Sequence, residues 1–231
     1  MSTYVMSDLH GEYQKFLAML DKIDFSEEDL LYILGDVIDR GEEPIPLLID
    51  LSQRDNVIPL IGNHELMLLD VMAELMVEIR EDNYSTHITP DMLHKLFVWQ
   101  ENGGDVTLKQ FTALPNDDRL ALLSYLEDFL PYETVEVNGR TFVLTHSGGV
   151  TTDKPLSEHS LRELTFARLD YDRTVYEDPS VYLVSGHTPT PLISGKPEIY
   201  HGNRHLNIDC GAVFGGRLAC LRLDDMTEFY V

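Results

Sequence analysis

Five short segments of this 231-residue sequence place a metal-binding or proton-transferring residue beside a glycine or serine. Asp8 and His10 precede Gly11. Gly35 precedes Asp36, and Asp39 and Arg40 precede Gly41. Asn63 and His64 follow Gly62. His146 is followed by Ser147 and Gly148, and His187 follows Gly186. These residues offer carboxylate oxygen, amide oxygen and imidazole nitrogen. Such a mixed donor set suits manganese, iron or zinc better than calcium or magnesium. There are too many donors for one ion. Two ions about 3.5–4 Å apart, bridged by one carboxylate, could use them all, and such a pair activates water and clamps a phosphoryl group for in-line attack. Asp36 is the natural bridge, because it follows the central run of the first three.

The donors need a scaffold that brings them together. Each segment follows a strand-like apolar run: 3–6, 30–34, 57–61, 141–144 and 181–184. Helical patterns lie between them, with Phe16, Leu17, Leu20 and Ile23 at helical spacing and Pro44 at a helix start, where proline is tolerated. This alternation predicts an α/β fold, and ligands in open α/β folds gather at the carboxyl ends of strands. Closing strands are expected near 206–208, 218–223 and 228–231. The stretch 82–130 reads as a mostly helical insertion, broken at Asn102-Gly103-Gly104. Leu66, Leu69, Ala73 and Met76 read as the core face of a helix. The length predicts a single domain over 1–231.

Singly, each segment has an ordinary explanation. Gly35-Asp36 could be a turn, Asn63 a helix cap, and Asp39-Arg40 a surface ion pair. Five such explanations would not be expected to produce one ordered ligand set. That set, Asp8-x-His10-Gly11, Gly35-Asp36-x-x-Asp39-Arg40-Gly41, Gly62-Asn63-His64-Glu65, His146 and Gly186-His187, resembles the signature of the PPP-type metallophosphatases of the calcineurin-like metallophosphoesterase superfamily. The shape is most similar to the short bacterial and phage serine/threonine protein phosphatases of the lambda type. The resemblance extends to Asn102-Gly103-Gly104-x-x-Thr107 and to the segment from Ile208-Asp209 to Gly211-Ala212-Val213. Ser7 stands where the family often has Gly before the first aspartate, and Ser147 where Gly or Ala often follows the fourth-motif histidine; both are small neighbours rather than ligands, so metal binding is expected to survive them.

The resemblance implies a metallophosphoesterase-like four-layer fold, a two-sheet β-sandwich flanked by helices. It implies that Asp8, His10 and Asp36 hold one divalent ion and that Asp36, Asn63, His146 and His187 hold the other. Manganese is the first expectation, with iron or zinc as alternatives. It further implies that His64 is the general acid, oriented by Asp39, and that Arg40 grips phosphate. A second phosphate arginine is expected among Arg162, Arg168 and Arg173, and Phe166-Ala167-Arg168 points to Arg168. These roles make chemical sense, because a serine or threonine alkoxide leaves poorly without a proton and a guanidinium matches phosphate oxygens.

The implied activity is a phosphomonoesterase, a serine/threonine protein phosphatase acting on phosphorylated protein or peptide. The alternative is a symmetrical bis(5'-nucleosyl)-tetraphosphate hydrolase acting on dinucleoside polyphosphates. Those enzymes tend to lack the aspartate before the arginine of the second motif, and Asp39 is present here. Small phosphate esters are further candidate substrates, and a phosphate-binding module without turnover is a third reading.

Composition sets the remaining limits. There are 40 acidic against 17 basic residues, a formal net charge of −23. This excludes an electrostatic nucleic-acid binder and an anionic membrane surface as partner. No run approaches the roughly 20 apolar residues of a membrane span. The N-terminus lacks the basic and apolar regions of a secretion signal, so a cytoplasmic protein is expected. Cys210 and Cys220 are expected as reduced thiols, and His87, His94, His159, His201 and His205 in packing or solvated roles. Nothing in the sequence signals an oligomeric state.

Overall fold

Apolar runs too short for helices pair into two sheets, and the amphipathic stretches between them become covering helices. The computed structural model describes residues 1–77, 84–168 and 170–231. In chain order the strands are β1 (Thr3–Met6), β2 (Leu30–Ile33), β3 (Val57–Pro59), β4 (Glu133–Val137), β5 (Arg140–Leu144), β6 (Val181–Ser185), β7 (Tyr200–His201), β8 (His205–Asn207), β9 (Ala219–Arg222) and β10 (Thr227–Tyr230). One sheet has the order β10-β9-β1-β2-β3 and the other β4-β5-β6-β8-β7. The central pairs β1–β2, β2–β3, β5–β6 and β6–β8 are parallel. The outer pairs β1–β9, β9–β10, β4–β5 and β7–β8 are antiparallel.

Strand alternation builds the layers. Val5 of β1 joins Tyr32, Leu34, Phe142, Leu144, Val184, Leu206 and Leu221 between the sheets. Its neighbours Tyr4 and Met6 face the opposite way, into a core with Phe16, Met19, Leu47, Leu48, Trp99 and Phe111 from helices. Across the molecule, Val143 and Leu183 pack outward on Val150 and Leu164. Each fully buried Val, Leu or Phe contributes about 1.5–3 kcal/mol relative to exposure, so both faces of both sheets are covered. This is the expected α/β sandwich with helical layers.

The parallel register aligns the strand ends. Met6 pairs with Ile33, Ile33 with Pro59, and Leu144 with Val184. The loops beyond are then stitched together. Asp8 N–H donates to Gly35 C=O at 3.1 Å, His10 N–H to Asp36 C=O at 2.8 Å, and Gly186 N–H to His146 C=O at 2.7 Å.

Several sequence expectations shift. Strand β4 was not anticipated, although Thr134-Val135-Glu136-Val137 alternates as an edge strand does. β7 has two residues, too few to leave a periodic signal. In the helix Asn63–Leu75 the deeply buried residues are Leu68, Val71 and Met72. Leu66, Leu69 and Met76 pack only partly against the core, and the side chain of Ala73 lies outside the described residues. The expected insertion is helical at Tyr84–His87, Pro90–Trp99, Asp105–Thr112 and Asn116–Glu127; its positions 82 and 83 also fall outside the described residues. Both cysteines are free and buried, and burial pushes the Cys210 thiol up to about 12. His205 and His159 are buried, whereas His201 is exposed.

Candidate metal centre

The loops that follow β1, β2, β3, β5 and β6 converge at one end of the sandwich. Six of the sequence-predicted residues there adopt left-handed backbone: Asp8, His10, Asp36, Asp39, Arg40 and His187, with φ between 41 and 71°. Side chains with a Cβ rarely take this conformation, and such strain concentrates at functional sites. Glycines make room for it. A Cβ on Gly62 would lie 2.2 Å from Asp36 Oδ1, and one on Gly35 would lie 2.6 Å from Gly62 Cα.

Asp36 stands at the middle. Its Oδ2 is 3.5 Å from His10 Nε2 and 3.9 Å from His64 Nε2, and its Oδ1 is 3.4 Å from His146 Nε2. Oδ1 also accepts the His64 backbone N–H at 3.1 Å, at the start of the helix Asn63–Leu75, where the helix dipole favours negative charge. Asn63 Oδ1 lies 2.9 Å from His146 Nε2 and 2.8 Å from His187 Nδ1. Two compact donor sets therefore share Asp36: His10, Asp36 and His64 on one side, and Asp36, His146 and His187 on the other.

The donors are aimed. His10 Nδ1–H donates to Ile38 C=O at 2.8 Å and His146 Nδ1–H to Leu34 C=O at 2.6 Å. Each ring thus turns a bare Nε2 lone pair into the site, as metal-ligating histidines do. A guanidinium nitrogen of Arg40 lies against His10 Nε2. Burial, followed by the His64 and Arg40 charges, holds the His10 pKa well below its usual value. Burial, followed by His146 and Arg168, pushes His187 down to about 2. Both rings are therefore neutral, the form that ligates metal.

The carboxylates point to the same conclusion. Asp8 is held by the Ser7 hydroxyl and by His187 N–H, 3.0 Å from Oδ2. Burial raises the pKa of Asp8. Burial raises that of Asp36 further, with Asp8 and Glu65 adding repulsion. Asp209 is raised by burial and then by Asp8. Crowded, buried carboxyl groups that strain to stay charged are relieved by a divalent cation. The residues present thus fit two metal ions. Asp8 is outside both compact donor sets, and His64 lies in the first beside His10 and Asp36.

At this centre stand His64 and Asp39, the pair to which the resemblance assigns proton transfer. His64 Nδ1 is 2.6 Å from Asp39 Oδ2, and both side chains have no solvent exposure. His64 Nε2 is buried without a hydrogen-bond partner. Burial, then the Arg40 and His146 charges, keeps the His64 pKa well below normal. Burial pushes the Asp39 carboxyl up to about 7 against hydrogen bonds from Thr107 and Trp99.

Among the candidate arginines, Arg168 lines a cleft of about 340 Å³ together with Arg40 and His187. Arg162 lies over the Phe166 ring and lines a different pocket. Arg173 donates to Val150 C=O at 2.7 Å.

Glu65 stands in the third motif, but sequence reasoning assigned it no role. Its fully buried carboxylate accepts backbone N–H groups from Asp36 at 2.9 Å, Val37 at 2.8 Å and Gly62 at 2.8 Å. It ties the second and third ligand loops together. A glutamate three residues into a helix behind a Gly-Asn turn signals a cap, but not that the cap spans two loops.

A family model described as calcineurin-like phosphoesterase matches residues 1–216. The symmetrical bis(5'-nucleosyl)-tetraphosphatase of Wigglesworthia glossinidia brevipalpis is 36% identical over 96 residues, 40% of this chain and 35% of that protein. The match thus spans about a third of that relative's length. The asymmetrical bis(5'-nucleosyl)-tetraphosphatase of Halalkalibacterium halodurans is 24% identical over 96% of this chain and 90% of its own. A solved candidate diadenosine tetraphosphatase shares the fold, with TM-score 0.69 and 16% identity over 99% of this chain and 92% of that one.

Proposed function

Because the chain belongs to the calcineurin-like phosphoesterase family, we propose that it is a metal-dependent phosphomonoesterase of the serine/threonine protein phosphatase kind. The observation that carries this reading is the buried Asp39–His64 pair at 2.6 Å, whose His64 ring also reaches the first Asp36-centred donor set. An alkoxide leaving group needs a proton, and a phosphate leaving group does not. When bound, two divalent ions would activate the attacking water and neutralise charge on the phosphoryl group. Asp8, His10 and Asp36 would hold one, and Asp36, Asn63, His146 and His187 the other. Manganese heads the expectation, followed by iron or zinc.

The protein's own side chains do the rest. Arg40 and Arg168, on one cleft, bind the phosphate oxygens and orient the ester. His64 delivers a proton from Nε2 to the departing oxygen. Asp39 fixes the ring through Nδ1 and, against the burial that disfavours charge on His64, supports the imidazolium that proton delivery requires.

A second reading has its own support. The curated relatives are named bis(5'-nucleosyl)-tetraphosphatases. The cleft beside Arg40 and Arg168 is walled by Pro189, Pro191, Leu192 and Phe214, with Phe214 63% exposed. An exposed ring next to two phosphate-binding arginines is a platform on which a nucleobase could stack. Rates on a phosphoserine peptide and on diadenosine tetraphosphate, measured side by side with manganese, decide between them. The proposal expects the peptide to be the better substrate; a strong preference for the dinucleotide overturns it in favour of the second reading. No helix among the described residues is long and apolar enough to cross a membrane.

A further inference from the structure

The segment 99–107 belongs to the insertion, yet it reaches the proton-transfer pair directly. Trp99 Nε1–H donates to Asp39 Oδ2 at 2.8 Å, the same oxygen that receives His64 Nδ1. Thr107 Oγ1–H donates to Asp39 Oδ1 at 2.6 Å, and the same hydroxyl accepts Asp39 backbone N–H at 2.9 Å. Trp99, Thr107 and Asp39 are all fully buried. The buried carboxylate therefore has three donors, and its plane cannot rotate without breaking one of them.

The residues between the two donors serve the neighbouring arginine. Gly103 C=O accepts Arg40 N–H at 2.9 Å, and Asn102 C=O accepts Arg40 Nε–H at 3.3 Å. Gly103 has φ 98°, and a Cβ there would lie 2.6 Å from Arg40 Cγ. A Cβ on Gly104 would meet the Trp99 ring at 2.5 Å. The kink at Gly103 within Gln100–Gly104 spaces the two contacts. The spacing Trp99-x-x-Asn102-Gly103-Gly104-x-x-Thr107 is thus what one clamp on Asp39 and Arg40 requires.

We propose that Trp99 and Thr107 are positioning residues that fix the Asp39–His64 pair, so that the helical insertion controls proton delivery to the leaving group rather than access alone. This rests on the reading of His64 as the proton donor. Its consequence is selective. Leaving groups that need a proton should suffer when the clamp is loosened, and those that leave as stable anions should not.

The test compares Trp99→Phe and Thr107→Val with the parent protein and with His64→Asn, on a phosphoserine peptide and on 4-nitrophenyl phosphate with manganese. General-acid catalysis is worth about 10²–10⁴-fold, so each clamp variant should lower kcat on the peptide about 10-fold or more. It should change kcat on the aryl ester by less than about 3-fold and leave KM unaltered. Thr107→Ser should restore the peptide rate. Added to His64→Asn, neither change should slow the peptide further. The downfield proton resonance of His64 Nδ1–H, identified by its loss in His64→Asn, should shift in both clamp variants even without metal. If His64→Asn is selective for the peptide while the clamp variants slow both substrates equally or neither, the inference is overturned and the reading of His64 stands. If His64→Asn slows both substrates equally, or the parent cleaves only the aryl ester, the reading of His64 fails and takes the inference with it.

Discussion

Asp39 Oδ2 and His64 Nδ1 are 2.6 Å apart in a pocket that excludes solvent from both side chains. Low polarity strengthens such a contact and makes its geometry consequential. In Asp39→Asn the amide oxygen can still face His64 and Trp99, so the fold should survive. The negative charge that supports an imidazolium is gone. Hydrolysis of a phosphoserine peptide should fall by about 10²-fold or more, the size of a lost general acid. A small change in kcat would show that the pair only packs.

Glu65 makes a structural prediction of a different kind. Its carboxylate receives four backbone N–H groups from two ligand loops, those of Asp36, Val37, Ile38 and Gly62. In Glu65→Gln one oxygen becomes an NH₂ that faces donors. An unsatisfied buried group costs about 1–3 kcal/mol, more when charge-assisted bonds are lost. Urea denaturation should show a loss of about 2–4 kcal/mol on that basis, and manganese affinity should drop with it. Unchanged stability would mean that the two loops are held by other contacts.

The cleft geometry separates the arginines. Arg40→Ala and Arg168→Ala should each raise KM for phosphate esters about tenfold or more, as expected for charge-assisted contacts. Arg162→Ala and Arg173→Ala should leave it within about twofold, surface changes being mild. Steady-state kinetics on one substrate with all four variants gives the answer. A large effect at Arg162 or Arg173 alone would move the second phosphate contact away from Arg168.

The site was legible where chemistry imposes residue types. Asp36, Asn63, His146 and His187 lie close together in the structure, because each follows the end of a strand whose apolar run the sequence shows. Asp8, expected with His10 and Asp36, lies outside the compact donor sets, because Ser7 and the His187 backbone hold its carboxylate. Glu65 and Trp99 carried no comparable signal. Their partners are a backbone turn and a carboxylate sixty residues away, contacts that exist only once the sheets and the insertion have packed. The core strands were legible from their apolar runs, whereas β4 and β7 are edge strands with partial burial and weak patterns.

His205 gives a pH prediction. It is buried, with Ser185 Oγ 2.8 Å from its Nε2. Burial, aided by the Arg173 charge, pushes its pKa from 6.5 down to about 4. Below about pH 6.5 the unfolded chain gains a proton that the native protein does not accept until about pH 4. The stability from neutral His205 is therefore complete above that upper value and is lost as pH falls toward the lower one. At about pH 5 the loss is about 2 kcal/mol, from about 1.5 units at about 1.36 kcal/mol each. Urea denaturation near pH 7 and near pH 5 should show His205→Gln losing about that much less than the parent. Equal losses would show that His205 does not drive the change.

The two-ion centre is tested most directly by titrating manganese calorimetrically into chelator-treated protein while following phosphatase activity in the same samples. Two ions should bind per chain, with activity rising as the second site fills. Asp36→Asn should abolish the paired binding, and His64→Asn should keep both ions while losing turnover on alkyl esters. Activity that persists after exhaustive chelation, or saturation without bound manganese, would contradict the account. Loss of one ion in His64→Asn would make that histidine a ligand rather than the acid.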